Sequence, residues 1–150
     1  MLNAMFFYKQ ARWLYLHHIP CLPKLLELLI FLIYNSKIPY QAEIGEGTYF
    51  GYGGIGVVIH RNVKIGRNCV VAQQVTLGGG NTRYLGVPTI GDNVYMAKGS
   101  IIYGGITIGN NVIIGANAVV NKPVPDNAIV AGVPAKILRI RTEEEINKRK

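Results

Sequence analysis

Three histidines, His17, His18 and His60, are the side chains of this 150-residue chain best suited to accept a proton near neutral pH. Histidine has an unperturbed pKa of about 6.5, and a general base works best when its pKa lies near the working pH. His17 and His18 stand together in a segment without helix breakers, and we interpret them as helix surface or packing residues. We predict that His60 is the catalytic base. The alternative is a structural role at a tight corner, because histidine tolerates a left-handed backbone better than most residues.

Metal chemistry is not indicated by the remaining polar residues. Zinc requires a defined cluster of nitrogen and sulfur ligands, and His60 is the only histidine after residue 18. Cys21 and Cys69 form no CxxC pair and are typical of ordinary buried thiols in a reducing compartment. We therefore expect a cytoplasmic protein without a metal cofactor.

The charge of the chain is diffuse. The formal net charge is +8, but no block of like charge stands out, and this disfavours nucleic acid as a partner. A diffuse positive surface suits an anionic small molecule or an anionic membrane surface. The 18 glycines follow no collagen period and indicate many tight turns.

The first forty residues predict two helices. One covers Phe6 to His18, and the other begins near Pro23 and ends near Asn35, because proline is tolerated in the first turn of a helix. The start of the chain has neither a basic region nor an A-x-A cleavage site, so we expect no signal peptide.

The second predicted helix is apolar nearly all round and must be covered. One cover is the body of the protein or a neighbouring subunit. The other is peripheral contact with a membrane, which is favoured by nearby basic and aromatic residues: Lys9, Arg12, Trp13 and Lys24. Its apolar run, Leu25 to Tyr34, has ten residues, whereas a bilayer requires about twenty.

From residue 44 to residue 120, apolar residues recur every six positions. They are Ile44 and Phe50, then Ile59, Ile65, Val71 and Leu77, then Ile90, Met96, Ile102, Ile108, Ile114 and Val120. Nine of the twelve residues that follow them are Gly or Ala. Neither an α-helix nor a simple strand has this period, which is the signature of a parallel β-helix. We predict this all-β core over residues 43–139, with a helical segment at 1–42 and a short helix or tail at 140–150.

Two places break the period. Phe50 to Ile59 is nine residues and Leu77 to Ile90 is thirteen. Such breaks mark loops that leave the column, often on a binding face. After the repeat, residues 128–139 predict one extended segment, and Thr142 with Glu145 forms a capping box that predicts a terminal helix.

The repeat region resembles the hexapeptide-repeat acyltransferases, and within them the serine acetyltransferase-like branch. The matching segments are V75-T-L-G-G79, I90-G-D-N-V94, I108-G-N-N-V-I-I-G-A116, V124-P-D-N127 and A131-G-V-P-A-K136. The resemblance covers about residues 40–139. It implies a left-handed β-helix and a homotrimer with acetyl-CoA, the acyl donor, in the clefts between subunits. The implied cofactor-binding residues are Ala97, Gly115, Ala116, Lys136 and Arg139.

The resemblance is less direct at the acceptor. Serine acetyltransferases carry one histidine two residues after an inward-facing apolar residue and another after an arginine in the long loop. Here the first place is Tyr52 when counted forward from Phe50 and Gly53 when counted back from Ile59. Tyr84 occupies the second place, with Arg83 before it. We therefore expect Tyr52, Asn81, Arg83 and Tyr84 to bind the acceptor.

Three functions stay open at this point. The first is an O-acetyltransferase acting on a sugar of a surface-polysaccharide pathway, because many relatives with a short helical N-terminus look like such enzymes. The second is a serine O-acetyltransferase. The third, from another class, is a catalytically silent trimeric scaffold. A β-helical carbonic anhydrase is disfavoured, because its zinc requires three histidines and His60 is alone in the repeats.

Overall fold

The computed structural model describes residues 2–79 and 86–148. Two helices, α1 (Ala4–Leu16) and α2 (Leu22–Tyr34), precede a left-handed parallel β-helix, and a short helix, α3 (Glu143–Asn147), follows it. The fold predicted from the six-residue period is confirmed.

The β-helix is a three-sided prism. Sheet 1 contains β1 (Glu43–Ile44), β4 (Lys64–Ile65), β7 (Thr89–Ile90) and β10 (Thr107–Ile108). Sheet 2 contains β2 (Tyr49–Phe50), β5 (Val70–Val71), β8 (Tyr95–Met96), β11 (Ile113–Ile114), β13 (Ala128–Gly132) and β14 (Ala135–Ile140). Sheet 3 contains β3 (Val58–Ile59), β6 (Thr76–Gly78), β9 (Ile101–Tyr103) and β12 (Val119–Val120). Each coil passes sheets 1, 2 and 3 in turn, so the prism has a corner 1–2, a corner 2–3 and a corner 3–1.

The apolar residues at the six-residue positions fill the column. Ile44, Ile65, Ile90 and Ile108 are in register in sheet 1, and the last three are at most 4% exposed. Their equivalents in the other sheets, such as Phe50 and Leu77, are equally buried. Burial of each such side chain contributes roughly 1.5–3 kcal/mol, so the repeat itself is the source of the core.

Corner 1–2 has a similar construction at three successive levels of the column. The carboxylate of Asp92 accepts a hydrogen bond from the Arg67 backbone N–H at 2.7 Å. In the same way, Asn110 Oδ1 accepts from the Asp92 N–H, and Asp126 Oδ1 accepts from the Asn110 N–H. Glycine precedes Asp92 and Asn110, and proline precedes Asp126. The coils approach closely at the glycines: a Cβ on Gly66 would lie 2.5 Å from the carbonyl oxygen of Gly91. The repeated residues of this corner therefore serve the column itself.

Helix α1 closes the first end of the column. The buried Tyr8 hydroxyl donates to the Ala42 carbonyl at 2.6 Å and accepts from the Ile44 N–H at 3.2 Å. Arg12 donates to three successive carbonyls, those of residues 40–42. Burial, the largest cause, raises the pKa of Tyr8 to about 12, so this hydroxyl keeps its proton. The backbone groups at the end of the column are thus satisfied by α1.

Helix α2 packs against α1 and the first coil through Ile30 and Tyr34 but leaves much apolar surface uncovered. Cys69 is buried as predicted, whereas Cys21 is exposed because it precedes α2 in the turn from α1, with φ at 68°. Within the described residues, no helix is long and apolar enough to cross a bilayer.

The C-terminal segment differs from its prediction. Residues 128–139 do not form one extended segment, because the chain reverses after Gly132, whose φ of 100° suits a glycine. Strand β14 therefore returns antiparallel to β13. The capping box of Thr142 and Glu145 is confirmed at the start of α3.

Candidate functional site

The predicted site residues are divided between two corners. Tyr52, Ala97, Gly115 and Ala116 follow strands of sheet 2 and lie at corner 2–3. His60 follows β3 and lies at corner 3–1. A single chain therefore does not bring His60 and Tyr52 together.

His60 has an exposed side chain held by one local hydrogen bond. Its Nδ1 accepts from the Asn62 backbone N–H at 3.2 Å. In a neutral imidazole with this arrangement the proton is on Nε2, which then acts as a donor. To act as a base, the ring must release the bond to Asn62. That costs about 1 kcal/mol, which is small beside the effect of a general base.

The left-handed backbone expected for a structural His60 is not present. His60 is not among the residues with positive φ. The left-handed positions lie two residues after the small corner residue, as at Asn68 and Asn93, with φ of 54° and 58°. Since its backbone is ordinary, nothing in the local conformation requires histidine at position 60.

His60 lines a groove of about 790 Å³ between helix α2 and corner 3–1. Leu28 and Phe31 of α2 form one apolar wall, and Val58 and Gly78 lie on the opposite side. The surroundings of His60 are thus apolar side chains with a polar rim, a composition common in ligand sites.

The rim of this groove is basic. Lys24, Lys37 and Arg61 line it together with one acidic residue, Glu27. Glu27 forms an ion pair with Lys37, and its side chain is only 14% exposed. Among the described residues, neither Lys24 nor Arg61 has a carboxylate partner within 4.0 Å, so the rim favours an anionic group. The groove could not be predicted from the sequence, because its two sides are far apart along the chain.

Tyr52 lies in the first register break. The chain forms a short 3₁₀ turn at Gly51–Gly54, in which Tyr52 has φ 50° and ψ 39°. Its side chain is 72% exposed. A tyrosine in the left-handed region costs of order 1–3 kcal/mol and usually marks a functional position. The geometry therefore supports Tyr52 as a contact residue at corner 2–3.

The small residues at corner 2–3 have a packing role. A Cβ on Gly115 would lie 2.9 Å from the Cβ of Ala131 in the next coil. The backbone N–H groups of Ala97 and Gly115 donate to carbonyls of the following coil at 3.0 and 2.8 Å. These N–H groups are therefore used within the column, while Ala116 is exposed. A cofactor along this corner would contact the surface of the turns.

The two basic residues assigned to the cofactor lie on β14. Lys136 is exposed and has no carboxylate partner within 4.0 Å in the described part of the chain. Arg139 forms a bidentate pair with Glu145, with both N–O distances 2.8 Å. This hydrogen bonding, the largest cause, lowers the pKa of Glu145 to about 2. Arg139 is thus already bound to a carboxylate.

Three acceptor residues predicted from the sequence, Asn81, Arg83 and Tyr84, lie outside the described residues. In the sequence they lie between β6 and β7. In residues 2–79 and 86–148, no group of three or more His, Cys, Asp or Glu could hold a metal ion.

Comparison with known proteins identifies the repeat. Residues 88–122 match the family of bacterial transferase hexapeptide repeats (six repeats). The serine acetyltransferase of Synechococcus elongatus is 37% identical over 137 residues, which are 91% of this chain and 56% of that protein. That of Staphylococcus xylosus is 46% identical over 99 residues, 65% of this chain and 45% of that protein.

Solved structures that resemble this chain are serine acetyltransferases, as the sequence relatives are. The serine acetyltransferase of Brucella abortus in complex with coenzyme A has a TM-score of 0.85 and 30% identity. The match covers 93% of this chain and 56% of that chain. The chain spans about half the length of the relatives it matches. The resemblance to hexapeptide-repeat acyltransferases is confirmed.

Proposed function

Because this chain carries the hexapeptide transferase repeat and has serine acetyltransferases as homologues, we propose that it is an acetyl-CoA-dependent O-acetyltransferase. The observation that carries the proposal is the homology to serine acetyltransferases over 91% of the chain. The fold of the coenzyme A complex, with a TM-score of 0.85, supports acetyl-CoA as the donor.

The acceptor best supported by these relatives is serine. In the proposed reaction the acceptor hydroxyl oxygen attacks the thioester carbonyl carbon. A C–O bond forms, the C–S bond breaks, and the thiolate of coenzyme A leaves. The hydroxyl proton passes to a base and then to the departing sulfur. We propose His60 as that base, because it lines an open groove and its ring is held by a single bond.

A sugar hydroxyl is the second candidate acceptor. It is favoured by Tyr52, which stands in a strained, exposed turn at the place of a family histidine. Sugars bind well to aromatic rings and hydroxyls, whereas the small, charged serine requires charged partners. The main expectation from the sequence, a polysaccharide sugar, thus becomes the alternative to serine.

We also propose a homotrimer. The proposed base and Tyr52 lie at different corners, and a neighbouring copy could place its corner 3–1 beside corner 2–3. The outer faces of the sheets carry half-exposed apolar residues suited to such packing, among them Val58, Tyr95 and Ile101. Sedimentation equilibrium at micromolar concentration should give three times the chain mass, and a stable monomer would exclude a site between subunits.

The function is tested by release of free thiol from acetyl-CoA. Purified protein is offered L-serine, a panel of sugars, or no acceptor, and product is identified by mass spectrometry. We expect acceptor-dependent release with serine. Release with sugars alone would replace serine as the acceptor. Binding of coenzyme A by calorimetry without turnover on any acceptor would indicate the silent scaffold, and no binding at millimolar concentration would remove the acyltransferase function.

A further inference from the structure

The two N-terminal helices leave many large apolar side chains in contact with solvent. Four apolar residues on α1 or just before it are each more than half exposed: Leu2, Phe6, Trp13 and Leu16. On α2, the exposed residues are Leu22, Leu25, Leu28, Phe31, Leu32 and Ile33, with Leu32 at 67%. We call these ten residues the helical face. Exposed apolar surface of this extent on one structural unit typically marks an interaction site.

The spacing of these residues forms a stripe on each helix. Leu25, Leu28 and Leu32 follow the i, i+3, i+7 pattern of one helix side. Phe6 and Trp13 are likewise separated by two turns. On the opposite sides of the helices, Tyr8 of α1 is buried against the first coil, and Ile30 of α2 is buried in the core. The exposed apolar side chains therefore remain in contact with solvent after the helices have packed on the rest of the protein.

The charge around the helical face has one sign. Residues 2–42 contain four basic residues and a single acidic one, Glu27. Glu27 is bound to Lys37 and mostly buried. Arg12 donates to backbone carbonyls, whereas Lys9 and Lys24 are exposed. A partner must therefore be apolar at its centre and negative around it.

We propose that the helical face binds the surface of an anionic lipid membrane. A second copy fits this face less well. An interface between identical patches would bring Lys9 and Lys24 near their own equivalents, and the segment has no exposed acidic residue to neutralise them. A bilayer surface offers both an apolar interior and negative headgroups.

The composition of the face matches an interfacial position of the helices. Each helix has 13 residues, about 20 Å in length, and lies on the membrane because it is too short to cross it. An indole ring such as Trp13 prefers the boundary between headgroups and acyl chains. Lysines can extend along apolar surface and keep their charge among headgroups.

The contact would also orient the groove. Lys24, Leu28 and Phe31 belong to α2 and line the groove that contains His60. A docked molecule would hold this groove beside the lipid surface. The binding of vesicles requires no turnover, so it can be measured separately from the proposed acetyl transfer.

Trp13 supplies a built-in probe, because it is the only tryptophan of the chain. We expect its fluorescence to shift to shorter wavelength when the full chain is mixed with vesicles of phosphatidylglycerol and phosphatidylcholine. The shift should be much smaller with phosphatidylcholine alone and should decrease with salt. Co-sedimentation of the same samples gives the binding constant.

Two sets of variants test the two parts of the face. Lys9→Gln with Lys24→Gln should weaken binding to anionic vesicles about 25-fold, since each lysine near such a surface contributes about fivefold. Leu25→Ser with Leu32→Ser should abolish binding. The matched control is Ile137→Ser with Leu138→Ser, which changes exposed apolar residues of β14 and should bind as the wild type does. Thermal melts establish that each variant is folded.

Three results would overturn the proposal. The first is no fluorescence shift and no co-sedimentation with anionic vesicles. The second is equal binding by the Leu25→Ser, Leu32→Ser variant and the wild type. The third is a larger assembly in sedimentation equilibrium that dissociates in this variant while vesicles have no effect, because the face would then be an interface between copies.

Discussion

Corner 1–2 and corner 3–1 belong to the same coils but are built in opposite ways. At corner 1–2, the side chains of Asp92, Asn110 and Asp126 each accept a hydrogen bond from a backbone N–H of the coil before. At corner 3–1, the equivalent residues differ: His60 in the first coil is replaced by Gly78 in the second and Tyr103 in the third. The packing of the column explains the residue types that recur in successive coils at corner 1–2. The residues of corner 3–1 that differ from coil to coil are therefore the candidates for function.

The largest expected effect is at corner 3–1. If His60 is the base, His60→Asn should lower kcat about 10²–10⁴-fold with little change in melting temperature, because the side chain is exposed and its backbone is ordinary. Tyr52→Phe at corner 2–3 keeps the ring and should lower kcat less. Steady-state kinetics of both variants measures the difference. Normal turnover by His60→Asn with a strong loss in Tyr52→Phe would move the chemistry to corner 2–3.

The same substitution at the two corners should affect stability differently. In Gly66→Ala at corner 1–2, the new methyl group meets the carbonyl oxygen of Gly91 at 2.5 Å, and overpacking of this kind costs about 1–3 kcal/mol. In Gly78→Ala at corner 3–1, the nearest atom of the described residues, apart from the chain neighbours, is 4.0 Å away, so no destabilisation is expected. Denaturant unfolding compares the two. Equal loss would mean that corner 3–1 is packed as tightly as corner 1–2.

The register break at Tyr52 should behave as a strained functional turn. Tyr52→Gly removes the left-handed strain and should stabilise the fold by about 1 kcal/mol, partly offset by the greater freedom of glycine in the unfolded chain. Activity should fall in the same variant. The measurement pairs thermal melts with acceptor-dependent thiol release. A variant that is more stable and fully active would show that the tyrosine has no role in the reaction.

The smallest effect concerns the cofactor residues on β14. Lys136→Gln should weaken coenzyme A binding about two- to fivefold, as expected for an exposed ion pair. Arg139→Gln should have less effect, because Glu145 already holds the guanidinium at 2.8 Å. Glu145→Gln serves as the control, since it frees Arg139 and should tighten binding. Calorimetry at two salt concentrations gives these values, and a larger loss in Arg139→Gln would show that the ion pair opens for the cofactor.

The local pattern of apolar residues was sufficient to predict the β-helix. The six-residue period places Ile90 and Ile108 in register, because three repeats complete one turn of the prism. Ile65 and Ile90 are also in register, although a break of the period lies between them. The capping box at Thr142 is equally local, since it joins residues three apart. The reversal after Gly132 was missed, because the direction of a strand after a turn depends on the sheet edge that it meets.

The candidate site needed the tertiary structure. The sequence selected His60 as the only histidine of the repeat region. It selected Tyr52 because the resembling family has a histidine at that place. It could not show that they lie at different corners, nor that α2 forms a wall of the groove beside His60. It could not separate Arg139, bound to Glu145, from the exposed Lys136. A repeat fixes which residues point into the column, since burial depends on period. Which surface residues meet depends on distances between segments far apart in the chain, and only the folded column sets those distances.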